Sequence, residues 1–94
     1  MRERETTLIT RGAGFIGSNL ADTLLAAGEK VIILDNLSRE GVASNLEWLV
    51  SKHGSRVQFE RGDVTDARRV APLVQQSRRV YHLAAQVAVT SSLQ

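Results

Sequence analysis

The sequence predicts an α/β fold in which a doubly wound parallel sheet of about four strands carries flanking helices, and three observations predict it. Apolar runs of strand length alternate with segments of helical periodicity along the chain. One run, Val31-Ile32-Ile33-Leu34, is apolar without alternation, as a strand buried on both faces requires. Between the first apolar run and the first helical segment lies a tight glycine cluster, Gly12, Gly14 and Gly17.

The elements follow in order. Thr7 to Thr10 is the first strand, and the glycine cluster ends it. Phe15, Ile16, Leu20, Leu24 and Leu25 recur at spacings of three and four, which predicts a helix with these residues inward. Ser18, Asn19, Asp22 and Thr23 fall on its other side, and Gly28 stops it. Val31 to Leu34 is the second strand, and Asp35 to Ser38 a turn. A short helix over Asn45 to His53 turns Leu46, Leu49 and Val50 inward, with Gly54 as its end. Val57 to Phe59 is a third strand, followed by a turn at Gly62-Asp63. Thr65 or Asp66 caps a helix over Ala67 to Gln76 whose core face is Val70, Leu73 and Val74. Pro72 inside it predicts a later start or a bend. Val80 to Leu83 is a fourth strand, and a loop begins at Ala84.

Composition narrows the function classes. With 43% apolar and 23% charged residues, the 94-residue chain reads as globular, long enough for one small domain or the first half of a larger one. The net charge is +2 and the basic residues are interleaved with acids, so no nucleic-acid surface is expected. Cysteine is absent, which removes disulfides, cysteine-based metal sites and a thiol nucleophile. His53 and His82 lack ligand spacing, so no metal site is expected, and His82 reads as the end of a buried strand. Trp48 reads as core or as a subunit contact. No apolar run approaches the roughly 20 residues of a membrane helix, and the polar start does not resemble a signal peptide, so the expected address is the cytoplasm.

The glycine cluster carries the chemistry. Gly12, Gly14 and Gly17 form a G-x-G-x-x-G run between a strand and a helix. A pyrophosphate can approach such a backbone closely, and the helix N-terminus offers it unpaired N–H groups and a partial positive charge. Read alone, the run is equally an ordinary strand-to-helix turn. Asp35, at the end of the next strand, stands at the separation expected for a carboxylate that accepts the adenosine ribose hydroxyls. It would repel a 2′-phosphate, which favours NAD over NADP; otherwise it is a turn residue before Asn36. Asp63, ending the third strand, could accept from the adenine amino group or form a helix-entry turn. Ala84 and Ala85 are small enough for the chain to pass beneath a cofactor, and equally suit tight packing. Together these readings specify a partial Rossmann fold.

The segments Thr10-Arg-Gly-Ala-Gly-Phe-Ile-Gly17, Leu34-Asp-Asn-Leu-Ser38, Gly62-Asp-Val64 and His82-Leu-Ala-Ala85 resemble the extended short-chain dehydrogenase/reductases, the NAD-dependent epimerases and dehydratases of nucleotide sugars. Within that family, Asn36 to Gly41, Asn45 to Leu49 and Gln86 to Leu93 are most similar to the CDP-paratose 2-epimerases. The resemblance implies that Gly12, Gly14, Phe15, Ile16 and Gly17 line the pyrophosphate, with Asp35 and Asn36 at the ribose and Ser38 nearby. It places Asp63 and Val64 at the adenine, and Leu83, Ala84, Ala85 and Gln86 along the cofactor toward the nicotinamide. It implies a nucleotide-sugar substrate for the full-length form, and it is compatible with a homodimer.

Two departures stand out. The family's first glycine is replaced by Arg11. Arg11 is accommodated if its φ is negative, or reaches a phosphate; otherwise a left-handed Cβ costs roughly 1–2 kcal/mol and NAD binding weakens. The family's catalytic Tyr-x-x-x-Lys pair has no counterpart, because the only tyrosine, Tyr81, is followed four positions later by Ala85 and no lysine follows Lys52. Thr90, Ser91 and Ser92 are not the family's catalytic hydroxyl, so no catalytic residue is expected. The chain therefore reads as the N-terminal part, residues 1–94, of an NAD-binding domain that lacks catalytic and substrate-binding parts. The alternative is an isolated NAD-binding or inert module. A truncated sheet would leave an edge near Val80 to Leu83 unpaired, which predicts marginal folding or self-association.

Overall fold

The computed structural model describes residues 6–11, 13–37 and 41–83 together with the backbone of 88–91. The elements run β1 (Thr6–Thr10), α1 (Phe15–Ala26), β2 (Lys30–Asp35), α2 (Val42–His53), β3 (Val57–Arg61), α3 (Ala67–Gln75), β4 (Arg79–Leu83) and β5 (Ala88–Ser91). They form one five-stranded sheet of order β3-β2-β1-β4-β5. The first four strands are parallel: Leu8 lies opposite Ile32 and Val80, and Ile33 opposite Phe59. This is the partial Rossmann architecture that the alternation of elements predicts.

Hydrophobic burial explains the layers. β2 is buried on both faces, with Val31, Ile32, Ile33 and Leu34 at most 1% exposed. Ile9, Val31 and Ile33 pack with Ala21, Leu25 and Leu49, which puts α1 and α2 over one face. Leu8, Ile32, Leu34 and Val80 pack with Leu73, Val70 and Val74, which puts α3 over the other. Gly28, at φ +97, provides the left-handed residue that turns the chain from α1 toward β2.

Several local expectations are corrected. The inward face of α1 is Gly17, Ser18, Ala21 and Leu25, while Phe15 and Ile16 are 79% and 44% exposed. Within the first turn the two small residues, Gly17 and Ser18, face inward and the two large ones face out. Small residues then make the close contact, and Ser18 is buried with its hydroxyl donating to the Phe15 carbonyl at 3.2 Å. In α2, which starts earlier at Val42, Val42 and Leu49 are buried and Val50 is exposed. Trp48 is exposed as well, with the Lys52 ammonium 5.2 Å above its ring.

α3 begins at Ala67 and continues through Pro72, so the proline does not delay it. Asp66 occupies the N-cap position without a side-chain cap bond. His82 is exposed at the end of β4. Where a loop was expected, β5 pairs antiparallel with β4, with Leu83 opposite Ala88 and Val80 opposite Ser91. The hairpin satisfies the N–H and C=O groups of an otherwise open β4 edge.

Candidate functional site

The strand order creates the site. From β1 the chain builds outward through β2 to β3, then returns to place β4 on the other side of β1. The C-terminal ends of β1 and β4 therefore diverge at a topological switch point, where open α/β sheets bind ligands. Thr10 bridges that point. Its buried hydroxyl accepts the Leu83 N–H at 3.1 Å and pairs with Nδ1 of His82 at 2.9 Å.

The turn between β1 and α1 is held from three sides. The Arg11 N–H donates to the Leu34 carbonyl at 2.6 Å, tying the turn to β2. The Ala13 N–H donates to Asp35 Oδ2 at 3.1 Å, and Asn45 Nδ2 donates back to the Ala13 carbonyl at 2.9 Å. Asn45 lies on α2, thirty-two residues away in sequence. Sequence spacing does not reveal its role; the one available signal is a polar residue at the end of the first turn of a helix whose other inner positions are apolar.

Beyond this turn, α1 has Gly14 as its N-cap, with no capping side chain and no acidic residue in its first turn. The first N–H groups of a helix have no intrahelical acceptor, so this end presents donors and a partial positive charge to an anion. The exposure of Phe15 and Ile16 leaves the same turn open to the outside.

Asp35 is 4% exposed, and both carboxylate oxygens are engaged. Oδ2 holds Ala13, and Oδ1 accepts the Leu37 N–H at 2.9 Å. That second bond belongs to the turn reading; the first makes Asp35 a strut of the glycine turn. Each oxygen retains a second lone pair for a hydroxyl donor. Asp63 accepts both the N–H and the hydroxyl of Thr65 at 2.9 Å, which is the helix-entry turn. These two bonds, the backbone one foremost, hold the Asp63 carboxyl below its usual pKa.

Asp35, Asn36, Asp63 and Val64 nevertheless come together: with Arg11, Leu34 and Gly62 they line one small depression at the ends of β1, β2 and β3. Gly62 lies close to its neighbours: a Cβ there would stand 3.0 Å from the Arg69 side chain and 3.3 Å from Leu34, so a larger residue needs these side chains to give way slightly. The depression offers about 30 Å³, room for no more than a water or two. Arg11 adopts φ +57, so accommodation at negative φ is excluded. Its Nε is buried without a hydrogen-bond partner.

Gly14, Phe15, Ile16 and Gly17 thus cluster at the helix end, and Asp35, Asn36, Asp63 and Val64 at the depression, with Leu83 buried beside Thr10. Gly12, Ser38, Ala84, Ala85 and Gln86 lie outside the described residues. Among the described residues there is no group of three or more potential metal ligands, and no helix is long and apolar enough to cross a membrane.

Comparison with known proteins agrees with this geometry. Residues 8–94 match the family model described as GDP-mannose 4,6 dehydratase. CDP-paratose 2-epimerase of Salmonella typhi is 43% identical over 88 residues, covering 92% of this chain and 25% of that protein. UDP-glucose 4-epimerase of Mycolicibacterium smegmatis is 41% identical over 88 residues, covering 93% of this chain and 27% of that protein.

Among solved structures, UDP-glucose 4-epimerase from Bifidobacterium longum, in complex with NAD+ and UDP, superposes with a TM-score of 0.73 at 34% identity. That match covers 89% of this chain and 25% of that one. The UDP-Glc/GlcNAc 4-epimerase of Campylobacter jejuni gives a TM-score of 0.74 at 29% identity over 88% of this chain and 25% of that one. The chain spans about a quarter of the length of these relatives. It belongs to the GDP-mannose 4,6 dehydratase family, among the NAD-dependent epimerases and dehydratases of the extended short-chain dehydrogenase/reductase type.

Proposed function

We propose that this chain is the NAD-binding part of an NAD-dependent nucleotide-sugar epimerase or dehydratase, most like CDP-paratose 2-epimerase. One observation carries the reading: the Asp35 carboxylate ties the glycine turn to the end of β2, directly ahead of an uncapped helix N-terminus at the switch point. The N–H groups of Phe15, Ile16 and Gly17 would take the pyrophosphate. Asp35 would accept a ribose hydroxyl on its remaining lone pairs, with Asn36 and Ser38 alongside. Asp63 and Val64 would flank the adenine, and Gly12, Leu83, Ala84 and Ala85 would line the backbone beneath the cofactor. In the whole protein NAD supplies a reversible hydride acceptor for a sugar carbon. This chain's residues contribute binding and orientation only, because its sequence holds no Tyr-x-x-x-Lys pair.

The choice of CDP-paratose over other sugars rests on the higher identity to that relative, 43% against 41% for a UDP-glucose epimerase, and on the segments around Asn45 and Gln86. A nucleotide-sugar substrate, a cytoplasmic address and a homodimer are part of the same proposal. Calorimetric titration with NAD tests its core. Saturable one-to-one binding that is weakened in Asp35→Asn supports it, and an affinity unchanged in that variant overturns it. A chain carrying the substrate-binding part, assayed with CDP- and UDP-linked hexoses, decides the sugar. Arg11 at positive φ favours the second reading, an inert module, for which no NAD binding at millimolar concentration is the expected result.

A further inference from the structure

We infer that Arg11 is a specificity-determining residue of this cleft: its side chain walls off the nucleoside depression, so that the chain grips a dinucleotide by its pyrophosphate and only weakly by its adenosine. The inference rests on the dinucleotide reading above. The backbone sets the direction of the side chain. With φ at +57 and its N–H bonded to the Leu34 carbonyl at 2.6 Å, Arg11 is fixed at the end of β1 and lines the depression beside Asp35, Gly62 and Asp63.

Among the described residues no carboxylate pairs with it there. Asp35 is turned to the Ala13 and Leu37 N–H groups and Asp63 to Thr65. Among the described residues the ion pairs within 4.0 Å do not include Arg11. Its Nε is buried without an acceptor, a state that carries a desolvation cost. A glycine at this position would carry neither that cost nor the strain of a left-handed Cβ. Both costs at one residue, in the wall of a ligand cleft, point to a role in the cleft.

The consequence is uneven across the site. The depression beside Arg11 is shallow and open, with about 30 Å³ of space within it, so an adenosine that settles into it against Asp35 must displace the Arg11 stem. The N-terminus of α1 carries no such obstruction, because its first turn has no cap and Phe15 and Ile16 face outward. Recognition therefore shifts from the nucleoside to the phosphates.

Three chains test this: the native one, Arg11→Ala and Arg11→Gly, each titrated calorimetrically with AMP, inorganic pyrophosphate and NAD. Alanine keeps the left-handed strain and removes the stem, whereas glycine removes both. Both variants should bind AMP and NAD about 10-fold tighter, the factor that corresponds to the buried methylene contact the Arg11 stem gives up when it is displaced, while pyrophosphate affinity does not rise. A gain confined to glycine, or an equal gain for all three ligands, means that Arg11 acts through the backbone of the turn, and overturns the inference. Equal NAD affinity in the three chains leaves the dinucleotide reading standing and removes the role of Arg11. If no chain binds NAD, the dinucleotide reading falls and this inference falls with it.

Discussion

Asp35→Asn leaves the shape of the side chain intact and exchanges one carboxylate oxygen for an NH2 group, so only one of two backbone donors keeps an acceptor. Which donor loses can be worked out from burial. Ala13 is fully buried, whereas Leu37 is half-buried and its N–H can turn toward water. The amide oxygen should therefore face Ala13, and the loss is one charge-assisted bond to Leu37, about 2 kcal/mol. Asp35→Ala removes both bonds and strands the Ala13 N–H away from water, which raises the cost to about 3–4 kcal/mol.

Against the roughly 5–10 kcal/mol expected of a domain this size, the first variant should fold and the second should be close to its limit. Urea unfolding followed by far-UV circular dichroism measures both. With a slope near 1 kcal/mol per molar, Asp35→Asn should lower the midpoint by about 2 M. A shift of less than about 0.5 M in Asp35→Asn would refute the strut, since the turn cannot exchange an ionised acceptor of two backbone donors for a neutral acceptor of one that cheaply.

Asn45→Ala orphans the buried Ala13 carbonyl; a loss of about 1–2 kcal/mol is expected by urea unfolding, together with weaker NAD binding than in an Asn19→Ala control on the exposed face of α1. Thr10→Val keeps the strand shape but strips the Leu83 N–H of its acceptor and His82 of its partner. It should cost about 1–3 kcal/mol and speed hydrogen exchange at the Leu83 amide first.

In acid, Asp22 and Asp63 set one limb of the stability curve. The His53 hydrogen bond, then Lys52, holds the Asp22 carboxyl below its ordinary value of 3.8, and Thr65 does the same for Asp63. Depressed folded-state values stabilise above pH 3.8 and lose that contribution as pH falls through the lowered values. Asp22→Asn should therefore flatten the fall in melting temperature below about pH 4, and an unchanged acid limb would exclude the pair.

Much of the fold was legible because its signals are local. The unbroken apolar run at Val31 to Leu34 could only be a strand covered on both sides, and it is. The glycine cluster between strand and helix announced a close-approach turn, and Gly28 and Gly54 end their helices in the positive-φ conformation that glycine permits. Periodicity misplaces the start of α1. Spacings of three and four put Phe15 and Ile16 inward with Leu20, Leu24 and Leu25, yet in the first turn Gly17 and Ser18 face inward and the two large residues are exposed. Ser18 was assigned outward because it is polar, yet a small side chain is what the helix–strand contact admits. The partnership of Asn45 with Ala13 spans 32 residues and leaves no periodic trace.

The sequence by itself determined the alternation of strands and helices, the parallel pairing of the first four strands and the position of the glycine turn. These follow from burial pattern and backbone freedom, both properties of short segments. Tertiary structure alone decided that Asp35 supports the glycine turn from the end of β2, that Thr10 clamps the switch point, that the chain after β4 returns as an antiparallel strand, and that Arg11 sits in left-handed geometry beside the depression at the strand ends. Each of these depends on which backbone groups meet at the strand ends once the sheet has assembled, and residue spacing does not encode that.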